Sequence, residues 1–547
     1  RKKMNTRQLQ TDKNQKLYHA LLGILLVCAL AMMMLLSYWA CKYSYYGAVD
    51  GRTRGVLVGD KTWAHIAVFL AASLCAMGID KVLMKKDKSQ QEKICLCTLI
   101  VTSVIAFILG VFYVCKNPYY PVGDQINTTA FAAYCRDGNF SMLSIGGYVG
   151  MYQQQKGLAI LYEILFTLFG DFNYRPAKIL HVVWWILTIL AGYGFLKLNT
   201  DRPVFRMLYC VMMLGCFPLL FYLPYIYGDV LSISFGIILF YGVAAYEHSG
   251  QKRYIALASF AAGLAVLARK NTWIVLVAVA VYVLLVSLRK KKVRYLMAGT
   301  AILLTAALSV KAVDVIYEVR SGYPSGVGIP SILWVAMGLQ ETEGRAGVYN
   351  RYQQATFTDY DCQQELAAQQ GKEYIRERLE EFSQDPGMAF NFFKNKVEGQ
   401  WIEPMYAALE STESFEEGAE LSPVLESLYY GELGRTIWKL TNYYQSILYL
   451  AGLMALVMLG ILWWKKKEVP ISLWLPWIAV FGGFLFSILW EAKSRYVFPY
   501  CVFMILYAPE GLYQTGLLLC KLPKLRKFKK SGHTQDKGEE ASLRETA

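Results

Sequence analysis

The chain has 547 residues, 55% of them hydrophobic, and a mean hydropathy of +0.30, which is too apolar for a soluble protein of this length. Its net charge of +15 sits mostly in clusters between apolar stretches. That placement argues for membrane topology and attraction to anionic lipid, and against nucleic-acid binding. Twelve cysteines are scattered, mostly inside apolar stretches; only Cys135 and Cys362 fall well within loops, so no disulfide framework is expected. Cys95 and Cys97, at one end of a stretch, read as packing residues. Five histidines without i, i+4 pairing give no zinc signature.

Read in chain order, stretches near the ~20 residues needed to cross a bilayer fall at 17–41, 63–84, 93–115, 176–197, 204–222, 229–247, 253–269, 272–288, 294–313, 441–463, 470–490 and 496–518. The basic clusters alternate with them. They are the N-terminal arm (Arg1 to Lys16), Lys81 to Lys93, Arg289 to Arg294, Lys465 to Lys467 and Lys521 to Lys530, with smaller ones at Lys197 to Arg206 and Lys252–Arg253. With the N-terminal arm in the cytoplasm, every cluster falls in the cytoplasm and both termini are inside. The first stretch lacks a small-residue cleavage site after it, so it reads as a retained span; the chain starts on Arg rather than Met, as a trimmed or a processed terminus would. The expected fold is an all-α polytopic membrane protein of about 12 transmembrane helices with interfacial helices and a mostly helical outer domain.

Three segments are expected outside. Tyr43 to Thr62 carries no clear chemistry. Lys116 to Arg175 is the first large loop; within it Gly157 to Gly170 is apolar but short, carries Glu163 in its middle, and reads as a helix lying in the outer interface. The largest runs from Asp314 to Leu440, where Lys372 to Phe382 predicts an amphipathic helix stopped at Asp385-Pro386-Gly387. Short outer turns complete this face: Pro224-Tyr225-Ile226-Tyr227-Gly228-Asp229, Arg269-Lys270-Asn271 and Glu491-Ala492-Lys493-Ser494-Arg495-Tyr496. The last two hold cations against the topological bias. Snorkelling to headgroups explains one such cluster; two beside acidic residues favour a bound anion.

Apart from Glu510 in the 496–518 stretch, the middles of the stretches hold no Asp, Glu, Lys or Arg, and there is no internal repeat, so an ion-coupled transporter is disfavoured. Neither a GxxxxGK[ST] nor a strand–GxGxxG–helix nucleotide motif is present. Charges gathered at one water–lipid interface, away from cytoplasmic nucleotides, suit group transfer from a lipid phosphate carrier.

On these residues the chain resembles the integral-membrane glycosyltransferases of the GT-C superfamily, especially the glycosyltransferase family 39-like branch that includes protein O-mannosyltransferases and aminoarabinose transferases. The resemblance covers most of Lys93 to Leu518. It rests on Pro121-Val122-Gly123-Asp124-Gln125 after a span ending at Cys115, on Leu168-Phe169-Gly170 leading to Arg175, on a large outer loop after the seventh core span, and on the final turn from Glu491 to Tyr496. Two features depart from the family: a lone Asp124 followed by Gln125 stands where an acidic pair is common, and Gln154-Gln155-Lys156-Gly157-Leu158 replaces a His-Pro-Pro-Leu-like approach to the interfacial helix.

The resemblance implies an outward-facing enzyme that moves a hexosyl or pentosyl unit from a polyprenyl-phosphate donor to an acceptor hydroxyl on a glycan, glycolipid or protein. Asp124 is the expected general base, with loop capping its structural alternative. Asp229 is a second catalytic candidate, or an N-cap of its helix. Arg269, Lys270, Lys493, Arg495 and Arg175 are the expected phosphate ligands, the arginines preferred for their planar forks. Tyr225, Tyr227, Trp401, Glu403 and Glu491, with Trp334, are candidates for sugar or acceptor contact, although 39 Tyr and 13 Trp make interface belts a strong alternative. Glu491 also reads as a helical i, i+4 partner of Arg495. No metal or other cofactor is expected, with room left for a loosely bound divalent cation. A bacterial plasma membrane is the expected location. The expected division is 1–92 (arm and an added transmembrane hairpin), 93–313 (core, with loop 116–175), 314–440 (outer domain), 441–520 (C-terminal helices) and 521–547 (cytoplasmic tail). The alternatives are a lipid-linked-glycan flippase or exporter, a polysaccharide polymerase or ligase, and a non-enzymatic scaffold.

Overall fold

The computed structural model describes residues 6–46 and 56–521, and it is helical almost throughout. The predicted tail and the centre of the 43–62 loop lie outside the described residues. The N-terminal helix α1 (Thr6–Lys42) leads into an antiparallel hairpin of β1 (Tyr43–Tyr46) and β2 (Val56–Gly59), followed by α2 (Thr62–Leu83) and α3 (Lys88–Lys116). Between α3 and α7 (Arg175–Asn199) come α4 (Asp124–Arg136), α5 (Tyr148–Met151) and α6 (Lys156–Phe169). Next are α8 (Pro203–Gly215), α9 (Phe217–Phe221), α10 (Asp229–Ser249), α11 (Lys252–Ala268), α12 (Trp273–Lys290) and α13 (Val293–Ser321). A compact segment follows, made of α14 (Ile332–Gly338), a hairpin of β3 (Glu341–Thr342) and β4 (Arg345–Ala346), α15 (Tyr352–Asp359), α16 (Gln364–Gln384), α17 (Pro386–Trp401), α18 (Ala408–Ser411) and α19 (Pro423–Tyr430). The chain then re-enters the bundle as α20 (Glu432–Trp464), α21 (Leu475–Leu489), α22 (Ser494–Met504) and α23 (508–521).

Among the described residues nine helices are long and apolar enough to cross a membrane, as expected of an all-α polytopic membrane protein. They are α1, α2, α3, α7, α10, α12, α13, α20 and α21. The other three stretches expected to span are helical but shorter or broken. The 204–222 stretch divides into α8 and α9 ahead of Pro218, and α11 has 17 residues. The 496–518 stretch is interrupted at 505–507, with Pro499 inside α22 and Pro509 opening the next piece. A proline contributes no N–H to the helical ladder and crowds the preceding turn, so breaks gather near it.

Sequence composition sets which helix lies in the middle. The α10 sequence is apolar on all sides and interleaved with Gly and Ser, and it is buried against α7, α11 and α22. The α11 helix packs closely on both α10 and α13 through Ala258, Ala261, Ala262, Gly263 and Ala265. A Cβ on Gly263 would stand 2.6 Å from Ser309 Oγ, so small residues are what permit this approach.

The short apolar helix expected at 157–170 is α6. Its charge has a partner: Glu163 pairs with Arg320 at 2.6 Å and accepts from the Tyr317 hydroxyl at 3.2 Å. Lys156, at its start, pairs with Asp314 at 2.5 Å. These contacts pin α6 to α13. The expected amphipathic helix at 372–382 is part of α16, which starts earlier, at Gln364. Asp385 then caps α17 by accepting from the Met388 N–H at 2.9 Å. The edges of the 314–440 segment are helical: α13 runs unbroken to Ser321 and α20 begins at Glu432, because neither stretch contains a residue that stops a helix sooner.

Candidate functional site

A cavity of about 1340 Å³ opens where the 116–175 loop, the 322–431 segment and the turn after α21 converge. Three parts of the chain build its charged wall. Asp124 begins α4, directly after Gly123, whose φ of +58° lets the chain turn sharply into the helix. The Asp124 side chain is exposed to the cavity, and the Tyr148 hydroxyl donates to its Oδ1 at 2.8 Å. Beside it, Gln155 Nε2 donates to the Tyr227 hydroxyl at 2.6 Å while Gln155 Oε1 accepts from Thr128 Oγ1 at 3.3 Å.

The second part is the turn from Glu491 to Tyr496, all six residues of which line the cavity. Its shape is held from the 322–431 segment: the Ala492 N–H donates to the Gly347 carbonyl at 2.7 Å, and the Gly347 N–H donates to Gln340 O at 2.7 Å. Lys396, 1% exposed, donates to the Gly338 carbonyl on the same stretch, and burial pushes its ammonium down to about 7.

The third part lies just beneath. Asp229 and Arg269 form an ion pair in which Asp229 is 1% exposed, and Arg495 Nε stands 4.0 Å from the same carboxylate. Three tyrosine rings enclose the two arginines. Arg495 lies over Tyr225, Tyr227 and Tyr496 at 5.2, 5.4 and 5.5 Å, and Arg269 over Tyr227 and Tyr496 at 5.5 and 5.3 Å. One carboxylate thus faces two guanidinium groups, leaving one positive charge uncompensated next to the cavity. The α10–α11 end approaches closely enough for this because residue 228 is glycine; a Cβ there would sit 2.0 Å from the Ala268 carbonyl oxygen.

The expected site residues divide into those that share the cavity wall and those that do not. Asp124, Tyr227, Glu403, Glu491, Lys493, Arg495 and Trp334 line it. Asp229, Arg269 and Tyr225 form the layer behind. Lys270 is exposed and donates to Ser331 at 3.3 Å. Arg175 is exposed at the start of α7 and off the cavity wall. Trp401 is fully buried, donating to Ser487 Oγ at 3.0 Å and packed on Phe484 and Tyr500.

Two local readings change. Gly228 holds the N-cap position and Asp229 is the first helical residue, its carboxylate taken up by Arg269 rather than by backbone N–H groups. Glu491 does not pair along a helix with Arg495, because it precedes α22; it accepts from the Tyr496 hydroxyl at 3.4 Å. Tyr148 and Lys396 are not legible as site residues from sequence, and Gln155 is legible only as part of the approach to the interfacial helix. Tyr148 is one tyrosine among 39, and nothing local marks it. A lysine at the centre of the α17 face that also carries Phe392 and Val397 was the one readable signal for Lys396. Among the described residues no three His, Cys, Asp or Glu side chains converge as a metal site.

Burial pushes the Glu491 carboxyl up to about 7, against the lowering effect of Lys493. Its folded pKa thus lies above the unfolded value, so the stability it contributes is complete below about 4.5 and is lost as pH rises to about 7. Wild type should therefore lose on the order of 3 kcal/mol relative to Glu491→Gln across that window, at 1.36 kcal/mol per pKa unit. Thermal unfolding of both proteins between pH 4.5 and 8 reads the difference; parallel curves would mean that Glu491 ionises freely.

No family model, no curated protein and no solved structure matches this chain.

Proposed function

We propose that this protein is a membrane glycosyltransferase with twelve spans and a GT-C-like core, moving a sugar from a polyprenyl-phosphate donor to an acceptor hydroxyl on the outer face of the membrane. The observation that supports this reading is the cavity wall, which sets an exposed carboxylate, Asp124, together with two cations, Lys493 and Arg495. In the reaction the acceptor oxygen bonds to the anomeric carbon, and its proton passes to Asp124. The bond between that carbon and the phosphate oxygen breaks, and the electron pair leaves with the lipid phosphate. The growing phosphate charge is met by Arg495 and Lys493, which are in place beforehand and need no reorganisation. Asp229 and Arg269 hold Arg495 in position, and Tyr148 orients Asp124. Both chain ends are on the cytoplasmic side.

Sealed vesicles of known orientation test chemistry and sidedness together. Labelled polyprenyl-phosphate sugars added to the outer face should be consumed. In a background lacking Cys115 and Cys362, an impermeant thiol reagent should label Ser383→Cys, an exposed position on α16, and leave Ser89→Cys, exposed in the first turn of α3, unlabelled. Labelling from outside at residue 89, or no consumption of any such donor, removes this reading.

A further inference from the structure

A second cavity of about 330 Å³ adjoins the first, and Glu403 and Glu410 stand in the walls of both. Its chemistry is the reverse of the cationic turn. Three carboxyl groups, Glu403, Glu410 and Glu413, line it together with aromatic rings from Tyr46, Tyr430 and Trp438. Trp438 packs edge-on to Tyr46 at 5.0 Å, and its indole N–H is buried with no partner among the described residues. Arg435 is the one cation on the wall, and it is already paired with Glu432 at 3.3 Å.

We propose that this second chamber binds a neutral carbohydrate and delivers its hydroxyl to the main cavity as the acceptor. The word acceptor rests on the glycosyltransferase reading above; carbohydrate binding does not. The lining selects among ligand classes. A phosphate would face three carboxyl groups and gain only an arginine that is already engaged. A lipid chain would desolvate Glu410 and Glu413 against hydrocarbon, whereas Glu403 already accepts from the Met405 and Ala407 N–H groups at 2.8 and 2.6 Å. A cationic ligand needs fully ionised carboxylates, whereas burial pushes Glu403 up to about 7 and raises Glu410 and Glu413 as well. A protonated carboxyl both donates and accepts and an ionised one accepts, so in either state these groups can meet sugar hydroxyls. The aromatic faces of Tyr46, Tyr430 and Trp438 suit the C–H faces of a pyranose.

The test uses the full chain in a detergent without a sugar headgroup. The probes are neutral gluco-, galacto- and manno-oligosaccharides of two to four units, pentalysine, and inorganic phosphate, each titrated calorimetrically without donor. At least one neutral oligosaccharide should bind. Trp438→Ala and Glu413→Gln should each weaken it at least 10-fold. Trp438→Phe, which keeps a ring and guards against a folding defect, should bind within threefold of wild type. Binding of pentalysine or phosphate alone, no saccharide binding, or saccharide binding unchanged in both Trp438→Ala and Glu413→Gln overturns the proposal. Saccharide binding that persists where no polyprenyl-phosphate donor is ever consumed would sink the enzyme reading and leave the carbohydrate site standing.

Discussion

Asp124→Asn should cut sugar transfer at least 100-fold while donor affinity stays within twofold of wild type. The amide keeps the shape of the side chain and can still accept the Tyr148 hydroxyl, which lies 2.8 Å from Oδ1. It cannot take the proton that the acceptor must lose as its oxygen bonds to the anomeric carbon. General-base help of this kind is worth roughly 10²–10⁴-fold. Tyr148→Phe should lose less, because it removes only the group that orients the carboxylate. Turnover measured with labelled donor decides the matter. Activity of Asp124→Asn above a tenth of wild type would remove this carboxylate from the proton transfer, and Glu491, on the same wall, would be examined next.

Arg495→Ala and Arg269→Ala should fail in different ways, although both remove a guanidinium from one cluster. Arg495 lines the cavity and is not closely paired, with its nearest carboxylate oxygen 4.0 Å from Nε. Its loss should weaken binding of a polyprenyl-phosphate analogue about 10- to 100-fold, the equivalent of one charge-assisted contact of roughly 1.5–3 kcal/mol. Lysine should restore only part of it, since a point charge cannot make a two-pronged contact. Arg269 instead holds Asp229, which is 1% exposed. Removing Arg269 leaves a buried carboxylate without its closest partner, a change that typically costs roughly 3–5 kcal/mol. Arg269→Ala should therefore lower the melting temperature sharply, and adding Asp229→Asn should recover much of that loss. If the two arginines behaved alike in both assays, the division between a ligand-facing and a structural guanidinium would be wrong.

What could be read from sequence follows from the range of the physics. Apolar length is a local property, so nine of the expected spans emerge as single long helices. Prolines are local too, yet whether a proline merely bends a helix or ends it depends on what packs beside it, and nothing local in 204–222 or 496–518 distinguishes the two. The cationic turns at 269–271 and 491–496 stood out because they defied the charge bias along the chain. Their pairing with Asp229 did not, because Arg269 is 40 residues from Asp229 and the two meet only through the close passage of α10 and α11 at Gly228. Trp401 shows the opposite limit: its residue type suits both sugar stacking and a core, and only burial by Phe484 and Tyr500 distinguishes them. Lys396 is a third case. Its role depends on a carbonyl at Gly338, 58 residues away, which no local pattern announces.

The first helix has a consequence for how the protein is made. The α1 helix packs along α20 and also touches α12 and α2. Trp463 donates to the His19 carbonyl at 3.2 Å and Ser446 to the Ala40 carbonyl at 3.0 Å, so the two helices are joined at both ends. Helix α1 leaves the ribosome well before α20, which begins 390 residues after α1 ends (Lys42 to Glu432). At ~5–20 residues per second the interval is roughly 20–80 s. During that time α1 must persist in the bilayer as an independent span, which its long apolar run permits, and then be recaptured. Chains cut short before 432 would carry a first helix whose main partner never arrives, and such orphaned spans are natural substrates for membrane quality control.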